Sequence, residues 1–174
     1  MSNEIIKQDN AVVAGGGEKE KQKDEILQLV TFSVGEEEFG VEILKVQEIN
    51  KMLQVTKIPN SPDFVEGVIN LRGKVIPIIN LRKRLRLSDK EYDKNTRIIV
   101  MEIQGRTVGF IVDSVSEVLR IPRSITEPPP SMIGGVSSEY IVAVGKLEDR
   151  LLILLDIDKI LSNEEKAALN QIRA

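Results

Sequence analysis

The chain has 174 residues, 41% of them hydrophobic and 29% charged, with a formal net charge of −3 and a pI near 5.2. That length suits one domain or two small subdomains, and the composition is that of a folded globular protein, neither disordered nor bilayer-spanning. Cysteine and histidine are both absent and aromatics make up 3%, which excludes disulfides, thiol or Ser-His-Asp catalysis and ordinary zinc sites, and weakens any stacking surface for sugars or bases.

The first residues, MSNEIIKQDN, lack the basic and apolar regions of a secretory signal, so the cytoplasm is the expected compartment. Residues 1–24, with Gly15-Gly16-Gly17 and the run GEKEKQKDE, read as a flexible tail. Ile26 to Val34 and Glu38 to Ile43 predict a hairpin around Gly35-Glu36-Glu37, and Leu53 to Ile58 a further strand closed by Pro59-Asn60-Ser61-Pro62. Gly67 to Leu71 and Val75 to Ile79 form a second expected hairpin, with Gly73 supplying positive φ, after which Asn80 caps a short helix through Leu85. The polar connector SDKEYDKN leads to strands at Thr96 to Ile103, Thr107 to Val112 and Val118 to Ile121. PRSITEPPPSMIGG, with Pro128-Pro129-Pro130, predicts an extended loop. A hairpin of Ile141 to Leu147 and Arg150 to Leu155 follows, then a short helix capped by Asp156. Ser162-Asn163-Glu164-Glu165 is a capping box opening a last helix with Ala167, Ala168, Leu169 and Ile172.

Two blocks repeat. LRGKVIPIINLRKRL from Leu71 matches LEDRLLILLDIDKIL from Leu147 at an offset of 147 − 71 = 76. FGVEILKVQEI from Phe39 matches VGFIVDSVSEV from Val108 at 108 − 39 = 69, aligning Gly40 with Gly109, Val46 with Val115 and Glu48 with Glu117. Matched blocks in the same order predict a duplicated unit, hence a mainly β protein of two small five-stranded barrels, at about 25–90 and 91–160, with a C-terminal helix over 163–173.

Candidate chemistry is sparse. Asp156 and Asp158 lack the further oxygens and glycine of a cation loop and read as helix-start charge, Glu36, Glu37 and Glu38 as solvated turn acids, and Gly15-Gly16-Gly17 lacks a phosphate-loop lysine. Arg72, Lys74, Arg82, Lys83, Arg84 and Arg86 form a run without an acid. The Arg82 to Arg86 cluster supports an alternative reading as a nucleic-acid-binding tandem barrel, disfavoured by the acidic total charge; a protein-facing or solvated surface fits better. Arg72 lies in a turn where its guanidinium can clamp a carboxylate, and Glu48 is the expected mate. Val46, Ile49, Val115 and Val118 occupy matching places in the two halves, where apolar segments can line a seam between barrels and receive a partner helix.

GEEEFGVEILKVQEI, IPNSPDFVEGVINLRGKVIPIINLR, VDSVSEVLRI, SSEY and DRLLILLDIDKIL together resemble the CheW family of bacterial chemotaxis coupling proteins, over about Ile26 to Ile172. The resemblance implies two intertwined SH3-like five-stranded barrels and a non-enzymatic scaffold without cofactor or metal, in the cytoplasm at membrane-associated receptor arrays. It implies as partners the cytoplasmic tip of chemoreceptors, the regulatory domain of the histidine kinase CheA and further copies of the protein in rings, with no nucleic acid and no membrane insertion. It places the receptor tip in a groove at Val46, Ile49, Val115 and Val118, gives Gly67 and Arg72 importance for coupling, and puts Met132 at a kinase or ring contact. The related CheV and CheA carry additional domains for which 174 residues leave no room.

Overall fold

The computed structural model describes residues 25–133 and 135–170, so the expected tail and the end of the expected last helix, Ile172 included, lie outside the described residues. Strands β1 (Ile26–Val34) and β2 (Glu37–Glu42) form the first hairpin, turning at Gly35 with φ 65°. A 3-10 turn at Ile43–Lys45 leads into β3 (Val46–Lys51). Only two of its six residues are apolar, and it forms because β6 offers it a partner. The strand expected over Leu53 to Ile58 shrinks to one bridge, in which Thr56 exchanges two 2.9 Å backbone bonds with Val68 before Pro59 and Pro62 end the pairing.

Strands β4 (Val65–Leu71) and β5 (Lys74–Asn80) turn through Arg72 and Gly73, both at positive φ as a two-residue hairpin requires. The Asn80 side chain accepts from the Lys83 N–H and caps α1 (Leu81–Arg84) as expected. Then come β6 (Arg97–Ile103), β7 (Arg106–Val112) and β8 (Ser114–Pro122), the last starting at Ser114 instead of Val118. The expected extended loop holds two short strands, β9 (Thr126–Glu127) and β10 (Met132–Ile133), because its non-proline residues have free N–H groups to pair, and β11 (Val136–Ser137) follows directly after it as the partner of β10. Strands β12 (Ile141–Lys146) and β13 (Leu151–Leu155) form the last hairpin. Asp156 precedes the 3-10 turn Ile157–Lys159 without capping it by its side chain, since the carboxylate turns toward Lys159 Nζ, 3.9 Å away. The capping box opens α2 (Asn163–Asn170): the Ser162 N–H donates to Glu165 Oε1 at 2.8 Å and the Glu165 N–H to Ser162 Oγ at 3.1 Å.

The protein is mainly β, with a six-stranded sheet ordered β8-β1-β2-β13-β12-β9 and a five-stranded sheet ordered β3-β6-β7-β5-β4. Both are open ladders: among the described residues no hydrogen bonds close either sheet into a barrel. Each sheet draws strands from both sides of residue 90, so that boundary divides the repeat and not the sheets. The five-stranded sheet encloses Ile69, Ile76, Ile78, Ile98, Val100 and Ile111, and the six-stranded sheet Leu29, Ile121, Leu152 and Leu154. Between them lies the large shared core, where Phe32 stacks on Phe39 at 5.8 Å beside Phe110, Ile79 and Ile153. Strands central to this arrangement are apolar on both faces, one toward the sheet's own core and one toward the shared core.

Candidate partner-binding surface

Opposed residues in a ladder share a face, and this locates the four expected groove positions. In β3 a bulge between Val46 and Glu48 resets the alternation, so Val46 lies opposite Met101 and Ile49 opposite Ile99, both partners belonging to the shared core. In β8 the matching irregularity places Val115 opposite Phe32 and Val118 opposite Val30, again shared-core residues. Thr31, skipped by the register, is buried and its hydroxyl donates to the Glu117 carbonyl at 2.9 Å. β3 and β8 are edge strands of different sheets. All four side chains thus lie on the faces their sheets turn toward one another: Val46 and Val115 half-buried against the shared core, Ile49 and Val118 exposed at 41% and 53%. An exposed apolar residue on the core-facing side of each edge strand is chemically suited to an apolar helix face.

Arg72 and Glu48 meet as the sequence suggested. Nη1 donates to Oε2 at 2.8 Å and Nη2 to Oε1 at 3.2 Å, a bidentate pair in which the carboxylate is sheltered and the guanidinium exposed. The Asn50 amide, donating at 2.7 Å, with Arg72 behind it, holds the Glu48 carboxyl below its usual range. Glu48 is therefore an anion at neutral pH, and Arg72 offers its remaining donors to solvent or a partner. Gly67 has a different reason to be glycine: a Cβ there would lie 2.1 Å from the Thr56 carbonyl oxygen, and its φ is +147°. Its lack of a side chain lets the 53–58 segment lie against β4. Met132 is 61% exposed on the β10–β11 ribbon.

The basic run is largely consumed internally. Arg82 binds Asp113 at 2.7 Å, Lys83 binds Glu66 at 2.8 Å and Arg84 binds Glu165 at 2.9 Å; among the described residues Arg86 alone of the Arg82 to Arg86 cluster forms no ion pair. Neutralised cations give little attraction to phosphates, so the geometry does not favour the nucleic-acid reading. Burial pushes the Asp113 carboxyl upward, but the Arg82 guanidinium and the Gly35 N–H outweigh it and the net displacement is downward. Asp158 faces Lys45 at 3.3 Å, which fits charge pairing.

Two features had no advance signal strong enough to isolate them. Arg150 binds Glu38 at 2.6 Å and Glu117 at 3.4 Å, a second hairpin-borne arginine on the repeat counterpart of Glu48. In the repeat alignment Arg150 matches Lys74 and not the clamping Arg72, so the alignment gives it no carboxylate to bind. Leu44, at the β2–β3 corner, is 92% exposed where the second unit has Asp113, a mismatch visible in the same alignment.

A CheW-like domain model matches residues 28–165. The chain is 44% identical over 145 residues to Chemotaxis protein CheW of Klebsiella aerogenes, covering 83% of this chain and 87% of that protein. It is 38% identical over 146 residues to Chemotaxis protein CheW of Treponema pallidum, covering 82% and 86%. Its fold superposes on the crystal structure of the scaffolding protein TtCheW from Thermoanaerobacter tengcongensis with a TM-score of 0.74 and 37% identity, covering 81% of this chain and 91% of that one.

Proposed function

The chain belongs to the CheW family and has a chemotaxis adaptor role, and from that premise we propose that it joins the cytoplasmic tips of chemoreceptors to the regulatory domain of the histidine kinase CheA, without catalysing a reaction. The observation that carries the receptor side is the exposure of Ile49 and Val118 on edge strands of the two sheets, each on the strand face that also carries a half-buried contact to the shared core. In this reading Val46 and Val115 floor the seam between the sheets, and the clamped Glu48–Arg72 pair presents the remaining guanidinium donors, held in place, beside β3. Gly67 acts indirectly, by allowing the 53–58 segment to lie where it does. We take the two sheets with their enclosed cores as the two barrel-like subdomains, and Met132 on its ribbon as a contact to the kinase or a neighbouring copy. The site of action is the receptor array at the cytoplasmic face of the membrane; no helix of the described residues is long and apolar enough to cross a bilayer.

Such a protein needs no nucleophile or proton donor. Its effect comes from differential contacts: if receptor and kinase each bind it better in one array conformation, occupancy of that conformation links them, and repetition in an array multiplies modest affinities. The test is autophosphorylation of CheA with receptor cytoplasmic fragments and this protein. Ile49→Glu and Val118→Glu, both at exposed positions, are expected to retain the native melting temperature and lose receptor-dependent control, while Arg72→Ala weakens it. Undiminished control in all three variants would overturn the site.

A further inference from the structure

Every ladder that unites a sheet's own hairpins joins the two halves of the chain. β1 pairs with β8 and β3 with β6, while β2 pairs with β13 and β5 with β7 in parallel. The hairpins β1–β2, β4–β5, β6–β7 and β12–β13 each stay within a half. In terms of the repeat, the first two strands of each unit lie in the sheet built on the last three principal strands of the other. Three arginine–carboxylate pairs cross the same divide: Arg82 to Asp113, Arg84 to Glu165 and Arg150 to Glu38. Arg84 is also sandwiched between Phe64 and Tyr140, at 5.6 and 4.9 Å from the ring centres. The covalent link between the halves is residues 86–95, exposed throughout except for half-buried Leu87.

None of these bonds requires that both partners belong to one chain. We propose that two copies of this protein form a reciprocal dimer, in which residues 25–85 of one copy complete their sheets with residues 96–170 of the other, and 86–95 is the hinge. The closed monomer and the exchanged dimer contain the same ladders and cores. Their balance is therefore set by the effective concentration of the tethered half, on the order of millimolar for a short flexible link. At micromolar concentration the monomer dominates; the dimer forms when chains fold together near the tether's own concentration. It carries each surface of the monomer twice and is independent of what those surfaces bind.

The absence of cysteine makes the test clean. Gln28 and Arg120 are exposed and lie directly opposite each other across the β1–β8 ladder, within the Cα spacing a disulfide accepts. The full-length single variants Gln28→Cys and Arg120→Cys are mixed in denaturant, refolded together from micromolar to about 1 mM and oxidised. The expected result is a cross-linked dimer with native β-sheet circular dichroism whose yield rises with concentration. It should exceed that of a control mixture of Gln28→Cys with Lys90→Cys, which reports random collision. Light scattering on the unmodified chain refolded in parallel should show the same rise in dimer. Equal yields in both mixtures, or a chain that remains monomeric at about 1 mM, would overturn the proposal.

Discussion

At Gly67 a single atom decides the packing. Replacing it with alanine puts a methyl into the Thr56 carbonyl, and either the 53–58 segment or β4 must move. The expected cost is about 3 kcal/mol, in the range of backbone clashes that cannot relax through a side chain, measured by urea unfolding of Gly67→Ala. Asp113 carries a pH-dependent contribution. Because its carboxyl is held below the unfolded value near about 3.9, the stability it adds is fully present above that pH and is lost as pH falls through the lower folded value. Asp113→Asn should therefore cost about 1–2 kcal/mol at pH 7, toward the lower end for bonds to charged groups because solvent reaches the pair. The gap to the native chain should close below about pH 4, read from unfolding curves at several pH values. A gap independent of pH would assign the loss to shape alone.

At the scale of elements, Glu165 serves two masters. Its Oε1 accepts both the Ser162 N–H that completes the capping box and a guanidinium N–H of Arg84 at 2.9 Å, so α2 is capped and docked through one carboxylate. Ser162→Ala is expected to cost about 1 kcal/mol, an ordinary capping loss. Glu165→Ala should cost more, because it also leaves the stacked Arg84 without its anion; amide exchange of α2 separates the two effects, faster in both variants but fastest in the second. The box was legible beforehand because four consecutive residues contain it. The Arg84 contact was not, since Phe64, Tyr140 and Glu165 reach it from three separate parts of the chain. β3 was missed for a related reason: VQEINK has weak strand character by itself, and its edge pairing to β6 is a long-range choice.

For the whole molecule, the exchange of strands between halves predicts how it responds to a cut. Proteolysis within the exposed segment 88–94 should leave the two pieces together through size-exclusion chromatography, because four ladders and the shared core hold them. Separation under native conditions would contradict that topology. The amino-acid sequence by itself determined the hairpins, the α1 and α2 caps, the Glu48–Arg72 partnership and the duplication, since each rests on short-range periodicity, turn residues or internal likeness. The family followed from strings such as NLRGKVIPIINLR. The bulges that turn Val46 with Ile49 and Val115 with Val118 toward one core came only from tertiary structure, as did the assignment of strands to sheets across residue 90. Strand pairing is a choice among distant partners, and the free energy that selects one is the burial of a core shared by both halves, which no local stretch of residues contains.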